Sequence, residues 1–240
     1  MDEARLSEQL ASLRVTAMQR IPEPELMDDE VQARAYAEAD FETPHSHFIE
    51  LFQQTFPELN IKGCVLDLGC GPADISLRFA KAYPECELHG VDAAAAMLAL
   101  GDKAIRRARL QERIRLLQGY IPGVSLPLQQ YGTVISNSLL HHLADPMTLW
   151  QTVQEYAAPA APVFIMDLMR PESTSQAQAM VDEYAADEPE VLQHDFYHSL
   201  LAAYTPQEVQ QQLSVLALPL TVQVVSDRHL VVSGKMPERH

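Results

Sequence analysis

The segment 65–74 has the residue types of a ligand-binding loop. A short apolar run leads into Gly69 and Gly71, which are separated by one residue, and a helical pattern begins directly after them. Glycines at this spacing let the backbone turn sharply and let a ligand approach it closely. The segment therefore predicts a strand whose carboxyl end forms a nucleotide-type site.

Two carboxylates narrow the chemistry of that ligand. Asp92 closes the next apolar run, about 20 residues past the glycines, where its oxygens can accept hydrogen bonds from ribose hydroxyls. Asp74 stands where the dinucleotide fingerprint has its third glycine, and its charge would repel a pyrophosphate from the start of the helix. The chain also lacks the Gly-Lys-Ser/Thr pattern of ATP- and GTP-binding loops. Together these features favour an adenosine derivative without phosphate.

Alternating strand and helix patterns must position these residues. We predict strands at 64–69, 87–92, 113–118, 133–137 and 163–168, and helices at 74–82, 94–107 and 146–157. This alternation predicts a parallel sheet with right-handed crossovers, in which the carboxyl ends of the first, second and fourth strands converge. Two further runs, 220–225 and 229–232, flank a turn and predict an antiparallel hairpin. The predicted fold is α/β, a Rossmann-like doubly wound sheet of seven strands.

Residues 1–60 predict a helical cap or lid that precedes a main domain over 61–240. Apolar residues at helical spacing predict helices over 2–20 and 29–39, and a third that starts near Pro44. An acidic helical insertion is predicted at about 171–204. The helix after it begins at Thr205 and carries Glu208 in position for a capping box.

The stretch 65–98 resembles the class I S-adenosylmethionine-dependent methyltransferases, whose first motif is a D-x-G-x-G loop. The segment 136–143, Ser-Asn-Ser-Leu-Leu-His-His-Leu, is similar to the one that follows the fourth strand of that family. The resemblance runs over about 64–232. It implies S-adenosylmethionine as the cofactor, with Asp92 on both ribose hydroxyls and Asp67 orienting the loop or the cofactor's amino group.

The cofactor-binding residues predicted in this way come from four strand ends and the helix after the second strand. They are Asp67, Gly69, Cys70, Gly71, Asp92, Ala93, Met97, Gly119, Tyr120, Ile121, Asn137 and Ser138. One departure from the family occurs after the third strand, where many relatives have Gly-Asp and this chain has Gly119-Tyr120. Tyr120 is then expected to stack on or flank the adenine, and the backbone N–H of Ile121 to donate to it. For Asn137, a strand-end turn role remains an equal alternative.

Methyl transfer from a sulfonium is an in-line displacement that depends on alignment more than on a general base. His142, after the fourth strand, is a candidate base, although local packing and hydrogen bonding of His141 and His142 is the reading we favour. Tyr36 and His45 are candidate catalytic residues of the lid, with ordinary cap-to-domain packing as the alternative.

Other polar residues leave alternatives open. The segment 194–198, which contains His194 and His198, lines a substrate pocket in one reading and starts a helix in the other. Asp167 and Arg170, at the end of the fifth strand, either bind a charged substrate or pair with each other.

Composition limits the partners. The 240 residues carry a net charge of −16, which disfavours nonspecific binding to nucleic acid or anionic membranes. Three cysteines give neither a disulfide framework nor a metal-ligand spacing, so no metal is predicted. Without a signal peptide or a long apolar run, we expect a cytoplasmic protein with a small-molecule substrate and no nucleic-acid or membrane partner. The first helix is a candidate dimer contact.

The leading hypothesis is a small-molecule methyltransferase that uses S-adenosylmethionine. A nicotinamide-dependent oxidoreductase would share the sheet and the ribose carboxylate, but Asp74 in place of the third glycine weighs against it. A noncatalytic protein that binds S-adenosylmethionine is the third hypothesis, since no obvious base is present.

Overall fold

The structure, a computed structural model, describes residues 18–23, 30–39 and 42–238. Most of the predicted first helix, 2–20, lies outside these ranges, and its last three positions, 18–20, are not helical. Within the described ranges, no helix combines the length and the apolar character that a membrane crossing requires.

The described residues form one seven-stranded sheet, as predicted. Its strands are β1 Gly63–Leu68, β2 Cys86–Asp92, β3 Ile114–Gln118, β4 Thr133–Asn137, β5 Pro162–Leu168, β6 Leu220–Val224 and β7 His229–Lys235. The spatial order is β3-β2-β1-β4-β5-β7-β6. β1 to β5 pair in parallel, while β7 pairs antiparallel with both β5 and β6. The predicted hairpin is confirmed, and β7 extends three residues beyond the predicted strand end.

The strand order reverses at β1, which lies between β2 and β4. Leu68 pairs with Val91 on one side and with Ser136 on the other, so all three strands end at nearly the same level. In open α/β sheets, ligands bind outside the carboxyl ends of the strands at such a reversal. The glycine loop directly after Leu68 therefore lies at the crevice where ligands bind in sheets of this type.

Helices cover both faces of the sheet. In the described part of the chain they are α1 Glu30–Glu38, α2 Glu42–Thr55, α3 Asp74–Ala82, α4 Ala95–Ala108, α5 Met147–Tyr156, α6 Thr174–Tyr184, α7 Glu190–Ala202 and α8 Pro206–Val215, with a 3-10 helix at Leu140–His142. The capping box predicted for α8 is present: the Thr205 side chain accepts from the Glu208 N–H, and Glu208 accepts from the Thr205 N–H. This pairing satisfies two donors that a helix start would otherwise leave open.

Aromatic packing fixes α2 against one face of the sheet. The Phe52 ring lies 4.9 Å from that of Phe79 on α3 and 5.5 Å from that of Phe164 on β5, both edge to face. Phe48 meets Phe164 at 5.0 Å in the same manner. All four rings are fully buried. Because edge-to-face pairs add to the free energy of burial, α2 is held rigidly beside the start of α3.

The opposite face is covered by α5 and α8. Trp150 is fully buried there, and its indole N–H donates to Gln212 Oε1 at 2.8 Å, which satisfies a polar group inside the core. The helices α6 and α7 pack on each other around Met180, Val181 and Leu200, within the region predicted as a helical insertion. α7 also contacts α1 and the 3-10 helix after β4, so it lies over the carboxyl edge of the sheet.

Candidate functional site

The glycine loop has the strained backbone that its sequence predicts. Gly69 and Gly71 have φ angles of 70° and 50°, in the left-handed region that favours glycine. The Gly69 N–H donates to the Val91 carbonyl at 2.8 Å, and the Cys70 N–H donates to the same oxygen at 3.0 Å. The buried Cys70 side chain packs over Gly90. These contacts turn the chain from β1 across the end of β2.

Asp92 joins the loop to the next helix. Its Oδ2 accepts from the Gly71 N–H at 2.8 Å, and its Oδ1 accepts from the Ala94 N–H at 2.8 Å. Burial raises the pKa of the Asp92 carboxyl, and the hydrogen bonds from Ala94 and Gly71 act against that rise. Ala93 follows it in the turn, and Met97 is buried one turn into α4. The carboxylate therefore lies beside the loop, where the sequence predicts a ribose site.

Asp67, near the end of β1, is almost completely buried. Its Oδ2 accepts from the Ser76 hydroxyl at 2.5 Å. Burial raises the pKa of Asp67 to about 7, the Asp92 carboxylate adds to the rise, and the Ser76 hydroxyl opposes it. Sequence reasoning missed Ser76, although its position on the buried side of α3 is a signal that could have found it.

The end of β3 approaches Asp92 through the backbone. The Gly119 N–H donates to the Asp92 carbonyl at 3.0 Å, so the turn 119–121 begins beside the predicted ribose site. The Tyr120 side chain is 60% exposed. An adenine between this ring and the loop is compatible with the exposure, and the contacts predicted for Tyr120 and Ile121 remain predictions.

The end of β4 contributes Asn137 and Ser138. Ser138 has a φ of 56°, and its N–H donates to the Met166 carbonyl at 2.9 Å. The hydroxyl of the fully buried Ser136 donates to the Leu68 carbonyl at 2.7 Å, which ties β4 to the residue before the glycine loop. Asn137 is only half-buried at this edge. The predicted convergence of β1, β2 and β4 at one crevice is therefore present.

His141 is locked by Asp167. Its Nδ1 lies 2.6 Å from Asp167 Oδ1, and Asp167 also accepts from the backbone N–H groups of Leu140 and Leu168, each at 2.7 Å. Burial alone would lower the pKa of His141, but the Asp167 and Glu23 carboxylates more than offset it and the net direction is upward. Local packing and hydrogen bonding, the interpretation favoured for the histidine pair, therefore fits His141.

His142 instead faces Glu23, which comes from the amino-terminal segment. His142 Nδ1 lies 3.0 Å from Glu23 Oε1 but makes no hydrogen bond to a described group, and His141 Nε2 lies 3.7 Å from the same oxygen. The Ser199 hydroxyl donates to Glu23 at 3.1 Å. Sequence reasoning missed Glu23, because nothing in a single sequence links a residue before the first described helix to the end of β4.

The segment that carries Glu23 is anchored by Arg20. The Arg20 guanidinium donates to the carbonyl groups of Ala202, His141 and Leu143 at 2.5, 2.8 and 3.0 Å. It also lies 4.2 Å from the centre of the Tyr204 ring, a cation–π distance. Residues 18–23 therefore cross the carboxyl edge as a fixed strap.

The two lid candidates occupy different places. Tyr36 packs against Ala94 and Met97, next to Asp92. Burial raises the pKa of Tyr36 to about 12, and the charges of Asp74, Asp92 and Asp167 act in the same direction. His45 is buried, and its Nδ1 lies 2.7 Å from Asp74 Oδ2. Catalytic roles for both residues remain predictions.

Asp74 and Arg170 have structural partners. Arg78 Nε donates to Asp74 at 2.6 Å, so the carboxylate at the start of α3 is held between Arg78 and His45. Burial would raise the pKa of Asp74, but these two partners lower it overall. Arg170 binds Glu208 at 2.6 Å. The predicted alternative of an Asp167–Arg170 pair is wrong, because Asp167 faces the histidines.

A family comparison agrees with this geometry. Residues 65–162 match a family described as a methyltransferase domain. An uncharacterised methyltransferase of Mycobacterium tuberculosis is 28% identical over 111 residues, which make up 45% of this chain and 52% of that protein. The chain thus spans about half the length of the curated relatives it matches.

Solved structures share the fold over nearly the whole chain. A SAM-dependent methyltransferase from Aquifex aeolicus has a TM-score of 0.65 at 15% identity and covers 87% of this chain and 98% of its own. A plantazolicin methyltransferase, in complex with a monoazolic desmethylPZN analogue and SAH, has a TM-score of 0.67 at 15% identity, covering 87% and 90%. At this identity the likeness concerns the fold alone.

Sheet order and glycine loop define a doubly wound α/β protein with a nucleotide-type site at its switch point. The methyltransferase-domain match over 65–162 and the fold shared with the solved structures support the resemblance to the class I S-adenosylmethionine-dependent methyltransferases. The resemblance and the fold class predicted from the sequence are confirmed.

Proposed function

We propose that this protein binds S-adenosylmethionine and transfers its methyl group to a small-molecule acceptor. The observation that carries the proposal is the Asp92 carboxylate, which lies against the Gly71 N–H at the carboxyl edge of β1 and β2. A carboxylate in this position can accept ribose hydroxyls, and a glycine loop in this position lets a ligand lie against the backbone.

The residues present fit such a cofactor. A Cβ placed on Gly71 would have no atom within 4 Å, so open space lies directly over the loop. Asp67, Asp92 and Asn137 bring oxygen acceptors to the same edge, which suits hydroxyl and amino groups rather than phosphates. When bound, S-adenosylmethionine supplies a methyl group on a sulfonium with a good leaving group. The cofactor-binding residues predicted from the sequence are proposed to hold it.

The chain's own contribution is alignment and exclusion of water. Bringing an acceptor into line with a reacting group is worth roughly 7–11 kcal/mol of the barrier when the geometry is close. Tyr36 is protonated at neutral pH, as tyrosines ordinarily are, and burial raises its pKa further to about 12; we propose that its hydroxyl donates a hydrogen bond that orients the acceptor. His142, with its Nδ1 free of hydrogen bonds among the described groups, is the proposed acceptor of a proton when the nucleophile carries one.

The acceptor is proposed to be small because the edge is covered. The strap 18–23, α1 and α7 lie over the carboxyl ends of the strands. Residues 1–60, apart from the rigidly packed α2, are proposed to act as a lid. A net charge of −16 further disfavours a polyanionic substrate.

Calorimetric titration with S-adenosylhomocysteine tests the cofactor assignment. We expect Asp92→Ala to weaken binding by tenfold or more, while Asp102→Ala, an exposed carboxylate on α4, leaves the affinity unchanged. Equal affinity of the two variants would contradict the assignment, and so would binding of NADH at the same site.

Transfer of label tests the acceptor class. The protein is incubated with methyl-labelled S-adenosylmethionine and a bacterial cell extract, and the products are separated by size. Label in the small-molecule fraction supports the proposal. Label in the macromolecular fraction contradicts the small-molecule acceptor while leaving methyl transfer intact.

A further inference from the structure

We propose that Glu23, His141 and His142 form a binding site for a divalent transition-metal ion. The ligand atoms that these three residues can offer lie within 4.8 Å of one another. Glu23 Oε1 is 3.0 Å from His142 Nδ1 and 3.7 Å from His141 Nε2. The site adjoins the proposed methyl-transfer crevice and shares His142 with it. An ion on His142 Nδ1 takes the lone pair of that nitrogen, so the proposed proton acceptance by His142 belongs to the metal-free protein.

These separations match neighbouring ligands around one ion. Metal–ligand bonds of about 2.0–2.2 Å place neighbouring ligand atoms roughly 2.8–3.6 Å apart in octahedral or tetrahedral geometry. The contact between Glu23 and His142 falls in this interval, and the contact between Glu23 and His141 needs only a few tenths of an ångström. The ligand atoms of the two histidines lie within 4.8 Å of each other, so they must approach by up to about 1 Å to bind one ion.

Asp167 supplies the outer partner that metal-binding histidines have. A ligating imidazole almost always donates its other ring N–H to a carboxylate or carbonyl, which fixes the tautomer and raises the basicity of the ligand nitrogen. His141 Nδ1 lies 2.6 Å from Asp167 Oδ1, so the proton belongs on Nδ1 and the lone pair of Nε2 faces Glu23. Backbone donors from Leu140 and Leu168 fix that carboxylate in turn.

His142 provides an independent sign of a ligand. Its Nδ1 is buried and has no hydrogen-bond partner among the described residues. Buried polar atoms are nearly always satisfied, so an exception needs an explanation such as an ion. A metal ion between His142 and Glu23 would satisfy this nitrogen.

Glu23, the third ligand, is held in place by the contacts of the strap 18–23. Arg20 binds three backbone carbonyls around the site, and the Ser199 hydroxyl donates to Glu23. The side chain of Glu23 is only 10% exposed. With both imidazoles neutral, Glu23, Asp167 and Arg20 carry a net charge of −1, which favours a dication.

The donor set selects the class of metal. Two imidazoles and one carboxylate suit zinc, iron(II), cobalt(II) and related ions, whereas magnesium and calcium prefer oxygen donors. Three protein ligands also leave positions open for water or for the heteroatom of an acceptor.

Cobalt(II) chloride is the probe, added to chelator-treated protein without cofactor. We expect visible d–d absorption that saturates at one ion per chain. Glu23→Gln and His142→Ala should each weaken binding at least tenfold, and Asp167→Asn roughly 10–100-fold, as for other outer partners. The matched control is His194→Ala, an exposed histidine on α7, which should bind as the wild type does.

Folding is checked separately, because Glu23 and His142 lie in a packed region. Each variant is compared with the wild type by thermal unfolding and by binding of S-adenosylhomocysteine, so failure of the metal site and failure of the proposed function are distinguishable. Crystals of the wild type soaked in zinc chloride give a decision without any variant. An anomalous peak between the three ligands supports the site, while no peak there, or cobalt affinity unchanged in folded Glu23→Gln and His142→Ala, overturns it.

Discussion

Gly69 and Leu139 pack so closely that a side chain on Gly69 has no room. A Cβ at position 69 would lie 2.8 Å from Leu139 Cδ1 and 2.9 Å from Leu139 Cβ. The second contact cannot be relieved by rotating the leucine, because its Cβ moves only with the backbone. The glycine loop and the segment after β4 are therefore fitted to each other as well as to a ligand.

Because of this contact, alanine should lower the free energy of unfolding more at position 69 than at position 63. Gly69→Ala should lower the free energy of unfolding by about 1–2 kcal/mol for its left-handed φ, plus about 1–3 kcal/mol for overpacking. Gly63→Ala, with a φ of 75° and no atom within 4 Å of its Cβ, should carry only the first cost. Urea denaturation measures both. Leu139→Ala removes the two Cδ contacts but keeps the Cβ contact, so Gly69→Ala should cost less, though not nothing, when it is made in Leu139→Ala protein than in the wild type. Equal losses at 63 and 69 would contradict the steric account.

The site residues that lie at the ends of strands could be predicted from the sequence. Gly69, Gly71 and Asp92 lie at the ends of buried strands, and strand ends of a parallel sheet meet at one edge whatever the rest of the chain does. The positions of β1 to β5 and of α3 could therefore be predicted within one or two residues. Periodicity and turn chemistry are sufficient where burial on a parallel sheet dictates the pattern.

Contacts between residues that are far apart in the sequence could not be predicted. Glu23 meets His142 only because Arg20 binds carbonyls near residues 141–143 and 202, and these contacts span more than a hundred residues. A single sequence carries no signal for such pairings, since hydrogen bonds to backbone carbonyls impose no residue type on the acceptor. The roles of Ser76 and Ser136 were missed for a related reason: both are small polar residues in otherwise ordinary helix and strand patterns.

A second prediction concerns the buried hydrogen bond between Trp150 and Gln212. Gln212→Leu removes the acceptor of the indole N–H and should lower the free energy of unfolding by about 1–3 kcal/mol, the cost of a buried donor left unsatisfied. Gln211→Leu, at an exposed position on the same helix, is the matched control. Trp150 is the single tryptophan of the chain, so its fluorescence reports unfolding directly. Similar losses in both variants would argue against the bond.

A third prediction links stability to pH through His229. Burial lowers its pKa to about 4, the Arg228 and His47 charges contribute in the same direction, and the Asp167 and Asp227 carboxylates oppose the shift. Between pH about 6.5 and about 4, His229 is protonated in the unfolded chain but remains neutral in the folded chain. The free energy of unfolding should therefore fall across this window as pH is lowered, and change little from this source above it.

The size of that effect follows from the shift. Each pKa unit corresponds to about 1.4 kcal/mol, so His229 should account for roughly 2–3 kcal/mol between the two limits. In His229→Gln this part of the slope should disappear, whereas exposed His194→Gln should keep it. Urea unfolding at several pH values measures the difference. A slope in His229→Gln equal to that of the wild type would refute the assignment.

The last prediction concerns Asp67 and rests on the proposed cofactor. Because burial raises the pKa of Asp67 to about 7, the free protein holds a proton there below that pH. The amino group of S-adenosylhomocysteine, if oriented by Asp67, favours the ionised carboxylate. Binding should therefore release a proton, and affinity should rise with pH up to about 7, by at most tenfold per pH unit, and then level off. Calorimetry in two buffers of different ionisation enthalpy counts the proton. In Asp67→Asn the affinity should be lower and flat with pH over the same interval; a pH-dependence that persists in the variant would assign the proton to another group.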